Sequence, residues 1–192
     1  MGIFYRDGEQ MEPWQKVGEE VVFEGMFVKI REKRFLKPDG VEEVFQVKGD
    51  VQGVKCVAVT KEGEFLLVEE FRVGLEVVKK ELPGGIIDED LTPEETVVKE
   101  LEEETGYRAG KVVFLGQTNA DPYSTMIRYH FLLLDCEETG RMGPEKDEFL
   151  KLVKMSREEF ENHIYYGDIS GRETGLLGLL WLDGRLKVDG VA

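Results

Sequence analysis

The chain has 192 residues, of which 40 are Asp or Glu and 25 are Lys or Arg, for a formal net charge of −15. That length suits one medium domain with room for a small extra sheet, while the acidic balance excludes a surface that wraps nucleic acid, since such affinity rests on neutralising phosphates with Lys and Arg. Met1 runs directly into Gly-Ile-Phe-Tyr-Arg-Asp without a basic and then apolar stretch, and no apolar run approaches a membrane span, so neither secretion nor membrane insertion is expected.

In chain order, residues 21–31 and 33–37 read as strands, the second closed by Pro38-Asp39-Gly40, and 42–47 follows as a third. Residues 1–48 are therefore expected to form an antiparallel meander, with a second unit over 49–192. Residues 54–60 and 65–71, joined by Lys61-Glu62-Gly63-Glu64, predict a hairpin of near-continuous apolar strands, the pattern of a sheet covered on both faces. Cys56 lies within one apolar strand pattern and Cys136 ends another, with no CxxC or Cys/His cluster nearby. They read as buried or free thiols, which suits a reducing cytoplasm. Arg72, at the end of the second strand, carries a planar fork that can pair with phosphate, or else forms a surface salt bridge. Phe71 and Tyr123 are candidates to stack on a base, or are core aromatics.

Next comes Leu82-Pro83-Gly84-Gly85-Ile86-Ile87-Asp88, an apolar, glycine-bearing loop. Thr92-Pro93-Glu94-Glu95 then supplies a Thr N-cap, Pro at the first helical position and Glu at N3, and Gly106 supplies a stop. The spacing predicts a helix over 93–105. Val97, Val98 and Leu101 fall on one arc of it, and Glu100, Glu103 and Glu104 on a neighbouring one. Carboxylates at i, i+3 and i+4 repel one another. Such an arrangement calls for a counterion, and magnesium or manganese prefers oxygen ligands. The backbone of Gly84 or Gly85 is close enough in sequence to add a carbonyl, because glycine permits close approach. The alternative is a solvated acidic face.

Further strands are expected at 111–115, 128–136 and 149–155, and helices starting at Ser156-Arg-Glu-Glu159 and Ser170-Gly-Arg-Glu173, both spaced as capping boxes. His130, inside the apolar run 129–134, reads as a hydrogen-bonded core residue, and His163 as a surface one.

Gly85, five residues, Leu91, seven residues, Lys99-Glu100-Leu101, one residue, Glu103-Glu104, one residue and Gly106-Tyr107 together resemble the Nudix box of the Nudix hydrolase family. Leu91 stands where that pattern has Glu and Lys99 where it has Arg. Residues 46–60, 65–72, 80–85, 156–160 and 167–170 are similar to the ADP-ribose pyrophosphatase branch, although Met126 and Ile127 stand where that branch often has Glu.

The resemblance implies an α/β fold, a Nudix-type α/β/α sandwich with mixed sheet plus a small N-terminal antiparallel sheet. It implies a magnesium- or manganese-dependent hydrolase that cleaves the pyrophosphate linkage of ADP-ribose or a related nucleotide sugar. Glu100, Glu103, Glu104 and Gly84 are then the metal ligands. The implied general base is a loop Glu before a late strand, Glu148 first and Glu145 second, or else a box glutamate such as Glu103. A homodimer in which the N-terminal sheet of one subunit completes its mate's site is implied too. The rival reading is a Nudix-fold module that binds or senses a nucleotide sugar with little turnover.

Overall fold

The computed structural model describes residue 8 and residues 11–26, 28–49, 51–143 and 149–188. They divide into two compact units, one comprising Met1–Val51 and Asn119–Met126, the other Gln52–Thr118 and Ile127–Ala192.

The first unit is a three-stranded antiparallel meander of β1 (Gln15–Glu24), β2 (Lys29–Leu36) and β3 (Glu42–Gly49). The strand expected over 21–31 is in fact two. The chain turns at Gly25, whose N–H donates to Val28 O at 2.8 Å, and Phe23 pairs with Ile30. An unbroken β-pattern of Val, Phe and Ile conceals that turn, because period-2 alternation survives a tight hairpin. Trp14, Phe35 and Phe45 pack together with centroids 5.7–6.5 Å apart. The segment 119–126 closes on β3 through Lys48 N–H to Tyr123 O and Thr125 N–H to Lys48 O, both 2.9 Å.

The second unit holds β4 (Gln52–Thr60), β5 (Phe65–Arg72), β6 (Val77–Glu81), α1 (Pro93–Thr105), β7 (Tyr107–Arg108), β8 (Lys111–Asn119), β9 (Ile127–Glu138), β10 (Lys151–Met155), α2 (Arg157–Tyr166) and α3 (Arg172–Leu182). Its sheet runs β10-β5-β4-β9-β7, with β6 beside β5 and β8 beside β9. β4 and β9 are parallel and β4 and β5 antiparallel, so the sheet is mixed. The sheet is covered on both faces, as its apolar strands require. Val54, Cys56 and Ala58 of β4 pack with Val97 and Leu101 of α1, while the alternate residues Val57 and Val59 pack with Phe160, Ile164 and Leu179 of α2 and α3. Helices on either side of a mixed sheet make the expected α/β/α sandwich. Phe65 stacks on Phe160 at 4.2 Å. α3 lies close because Gly178 faces Val57, where a Cβ would meet Val57 Cγ2 at 2.7 Å.

α2 starts with the expected capping box of Ser156 and Glu159. α3 does not. Its N-cap is Gly171, in the left-handed conformation at φ 74° with no side-chain cap, because the Ser170 N–H and hydroxyl turn instead to the carboxylate of Glu81. Arg172 then donates to Tyr165 O at 2.7 Å and Gly167 O at 2.6 Å, covering the carbonyl end of α2. The last strand begins at Lys151 rather than 149, and Phe149 is exposed. His130 is fully buried between Thr118 Oγ1 at 2.9 Å and Thr174 Oγ1 at 2.7 Å, and burial holds its pKa below the usual value. His163, expected at the surface, is half-buried with Nε2 2.9 Å from Lys80 O.

Candidate active site at the glycine turn

α1 is held at both ends by the signals its sequence carries. The Thr92 hydroxyl accepts from Glu95 N–H at 3.2 Å, the Glu95 carboxylate accepts from Thr92 N–H at 2.9 Å, and Gly106 ends the helix at φ 73°. Val97 and Leu101 bury fully against the sheet, each stabilising by about 1.5–3 kcal/mol. One turn past Val97 and Leu101 respectively come Glu100 and Glu104. Glu104 is therefore 6% exposed, a carboxylate carried inward by the apolar face of its helix.

The Leu82–Gly85 turn is strapped to β4. Cys56 N–H donates to Pro83 O at 3.0 Å, Val54 N–H to Gly85 O at 2.9 Å and Ile87 N–H to Gln52 O at 2.9 Å. The fit leaves no room for side chains. Gly84 has φ 143°, and a Cβ there would collide with the Val54 carbonyl oxygen. A Cβ at Gly85 would strike the Glu100 carboxylate. The turn thus presents its backbone to α1, and Gly84 N–H donates to Glu104 Oε2 at 3.0 Å.

Glu103 lies to the side of this pair. Its Oε2 is 3.6 Å from Lys99 Nζ, which also donates to Asp88 Oδ2 at 3.1 Å. Asp88 thereby supplies the acidic partner that Leu91 cannot, so the brace between loop and helix persists with different residues. Among the described residues, no group of three or more His, Cys, Asp or Glu side chains is already drawn together as a metal cage. The donors nonetheless fit a hard divalent cation. Glu100 and Glu104 offer carboxylate oxygens beside a backbone turn kept bare by two glycines.

Behind the turn lies a buried ionic cluster that the sequence reading missed. Glu81 is fully buried, with Arg72 Nη2 at 3.6 Å, Lys79 Nζ at 3.6 Å, Lys55 Nζ at 3.9 Å and Ser170 N–H at 3.1 Å. A carboxylate so placed requires these partners, since a buried unpaired charge costs several kcal/mol. The available signal was Lys55 itself, a charged residue inside the apolar run of β4. Arg72 also holds Glu70 at 3.0 Å, so its guanidinium is shared between two carboxylates. Phe71 is exposed and, by strand alternation, faces away from Arg72. The structure does not bring those two together. Glu145 and Glu148 lie outside the described residues.

The profile of the NUDIX domain matches residues 50–171, spanning the turn, α1 and the Glu81 cluster. The chain belongs to the Nudix family. This Nudix protein is 29% identical over 147 residues to the ADP-ribose pyrophosphatase of Bacillus subtilis, covering 74% of this chain and 78% of the relative. It is 26% identical over 147 residues to the methanol dehydrogenase activator of Bacillus methanolicus, covering 76% and 80%. A solved structure described as an ADP compounds hydrolase superposes with a TM-score of 0.78 at 18% identity, over 93% of this chain and all of that one. The Nudix fold is therefore shared with that structure.

Proposed function

We propose that this Nudix protein is a metal-dependent hydrolase that cleaves the pyrophosphate linkage of ADP-ribose or a related nucleoside diphosphate sugar. The observation that carries the reading is the convergence of Glu100 and Glu104 on the bare Gly84–Gly85 turn. The activities named for two similar proteins, an ADP-ribose pyrophosphatase and an ADP compounds hydrolase, support the substrate class.

In this reading Glu100, Glu103, Glu104 and a Gly84 carbonyl hold magnesium or manganese. When bound, such an ion neutralises phosphate oxygens and lowers the pKa of a coordinated water. Glu103 joins the set by giving up its contact with Lys99, which keeps Asp88. Arg72 pairs with a phosphate while Lys79 and Ser170 retain Glu81. Glu148 is the proposed base, ahead of Glu145 and Glu103. Water attacks one phosphorus, the bond to the bridging oxygen breaks, and two monophosphates leave.

Residues 1–48 form the proposed dimerisation unit and 49–192 the hydrolase domain. The exposed Val17, Val21 and Phe23 of β1 supply apolar surface for a partner copy. A cytoplasmic location accords with Cys56 and Cys136 being buried free thiols.

The test is a panel of ADP-ribose, UDP- and GDP-sugars, dinucleoside polyphosphates and NADH, each with and without magnesium. Release of AMP from ADP-ribose only with metal is expected. Binding of a nucleotide sugar by calorimetry without any monophosphate released would instead establish a binding or sensing module.

A further inference from the structure

Lys55 is a lysine in the middle of a buried strand, flanked by Val54 and Cys56, and only 8% of it reaches solvent. Its stem passes beneath Gly171, where a Cβ would come within 2.6 Å of Lys55 Cδ. Its Nζ ends 3.1 Å from Leu82 O and 3.9 Å from Glu81 Oε2. Glu81 is already served by Arg72, Lys79 and two donors of Ser170, and both cations stand nearer to it than Lys55 does. Lys55 is therefore the most distant of the three cations around Glu81. Its hydrogen bond goes instead to the first carbonyl of the turn whose Gly84 N–H holds Glu104; burial, and then Arg72, lower its pKa, and the charges of Glu81 and Glu104 oppose that shift.

We propose that Lys55 is a resident cation of the active site, a positioning residue whose fixed charge opposes a divalent ion at Glu100 and Glu104. Its hydrogen bond steadies Leu82 O, and so the turn that presents Gly84 N–H to Glu104. Its charge repels a second cation entering the same field. This chain consequently holds its metal more loosely than its carboxylates alone would, and the occupied site carries one positive charge more toward a diphosphate.

The inference rests on the metal reading above, and the two can fail separately. Mn2+ is titrated into full-length protein without substrate, with free ion followed by electron paramagnetic resonance. Lys55→Met keeps the stem under Gly171 and removes the charge; it is expected to bind Mn2+ about tenfold more tightly than the unsubstituted protein. Lys55→Arg is expected to stay within about twofold of it. Damage to packing or turn geometry weakens metal binding, so a gain is a readout that a merely structural role does not produce. Lys55→Gln serves as the second variant, with the same expected direction. Unchanged or weaker binding in a folded Lys55→Met or Lys55→Gln, beside normal binding by the unsubstituted protein, overturns the inference and leaves the metal site standing. Failure of both neutral variants to fold while Lys55→Arg folds also overturns it, because the charge then serves stability alone. No Mn2+ binding by the unsubstituted protein overturns both readings.

Discussion

Lys99 Nζ stands 3.1 Å from Asp88 Oδ2 and 3.6 Å from Glu103 Oε2, so a single ammonium ties the loop after the glycine turn to the carboxylate flank of α1. The Asp88 hydrogen bond raises the Lys99 pKa, so the ammonium persists across the physiological range. Loop and helix are thus braced without the Glu and Arg of the usual box.

The brace is partly exposed, and water and salt screen it. A double-mutant cycle of Asp88→Asn and Lys99→Met, followed by urea denaturation, should give a coupling of about 0.2–1 kcal/mol that shrinks in 1 M salt. A coupling above about 2 kcal/mol would mean that the pair is buried in solution.

The two turn glycines should respond differently to Ala. At Gly84 the new Cβ meets backbone at a positive φ, so neither side can yield. A loss of stability above about 2 kcal/mol is expected in thermal unfolding. At Gly85 the obstacle is the end of a flexible glutamate. Stability should change by less than about 1 kcal/mol while Mn2+ affinity and kcat/KM fall, because Glu100 is displaced. Equal unfolding midpoints for the two variants would contradict this placement.

Glu104→Gln should lower kcat/KM with magnesium by more than about tenfold with little loss of fold, since the amide can still accept from Gly84 N–H but no longer offers an anionic oxygen. Unaltered turnover in steady-state assays would remove Glu104 from the site.

Acid should loosen both capped helices. Glu95 and Glu159 have pKa values below the ordinary 4.5, Glu95 chiefly through the Thr92 hydroxyl and Glu159 chiefly through the Ser156 N–H. For a carboxyl lowered on folding, the stabilisation is complete above its unfolded pKa and disappears as pH falls through the lower folded value. Amide protection factors, taken relative to intrinsic exchange at each pH, should accordingly fall at the first turns of α1 and α2 below pH 4.5, and Thr92→Ala should lower them in α1 at neutral pH. Identical protection in α1 with and without Thr92 would refute the cap.

Neither thiol should react while the chain is folded. Burial pushes Cys136 up to about 12 and Cys56 well above its ordinary value. Iodoacetamide at pH 8 should leave both unmodified in intact-mass spectra and label both in urea; labelling of native protein would show that the strands open.

Much of α1 was readable because its causes lie close together in the chain. Thr92 and Glu95 are three residues apart, Gly106 follows the last turn, and a 3.6-residue period separates Val97 and Leu101 from the glutamates by rotation alone. The same local logic failed at Ser170. Its spacing to Glu173 mimics a capping box, yet a buried carboxylate 89 residues earlier competes for its hydrogen bonds and wins. A charged acceptor in a dry site outbids an exposed cap. β6 and the turn at Gly25 were missed for a related reason, since strand pairing is decided by the partner and not by the strand.

From the order of amino acids alone came the caps, the glycine turn, the acidic spacing on α1 and the sandwich class, all products of forces acting within a few residues or of apolar periodicity. Folding alone decided that Lys55, Arg72 and Lys79 would meet around Glu81, that Asp88 would take the brace, and that Glu104 rather than Glu103 would point into the turn. Electrostatic contacts depend on distance through space and on exclusion of water, and both are known only once the sheet has brought β4, β5, β6 and the start of α3 together.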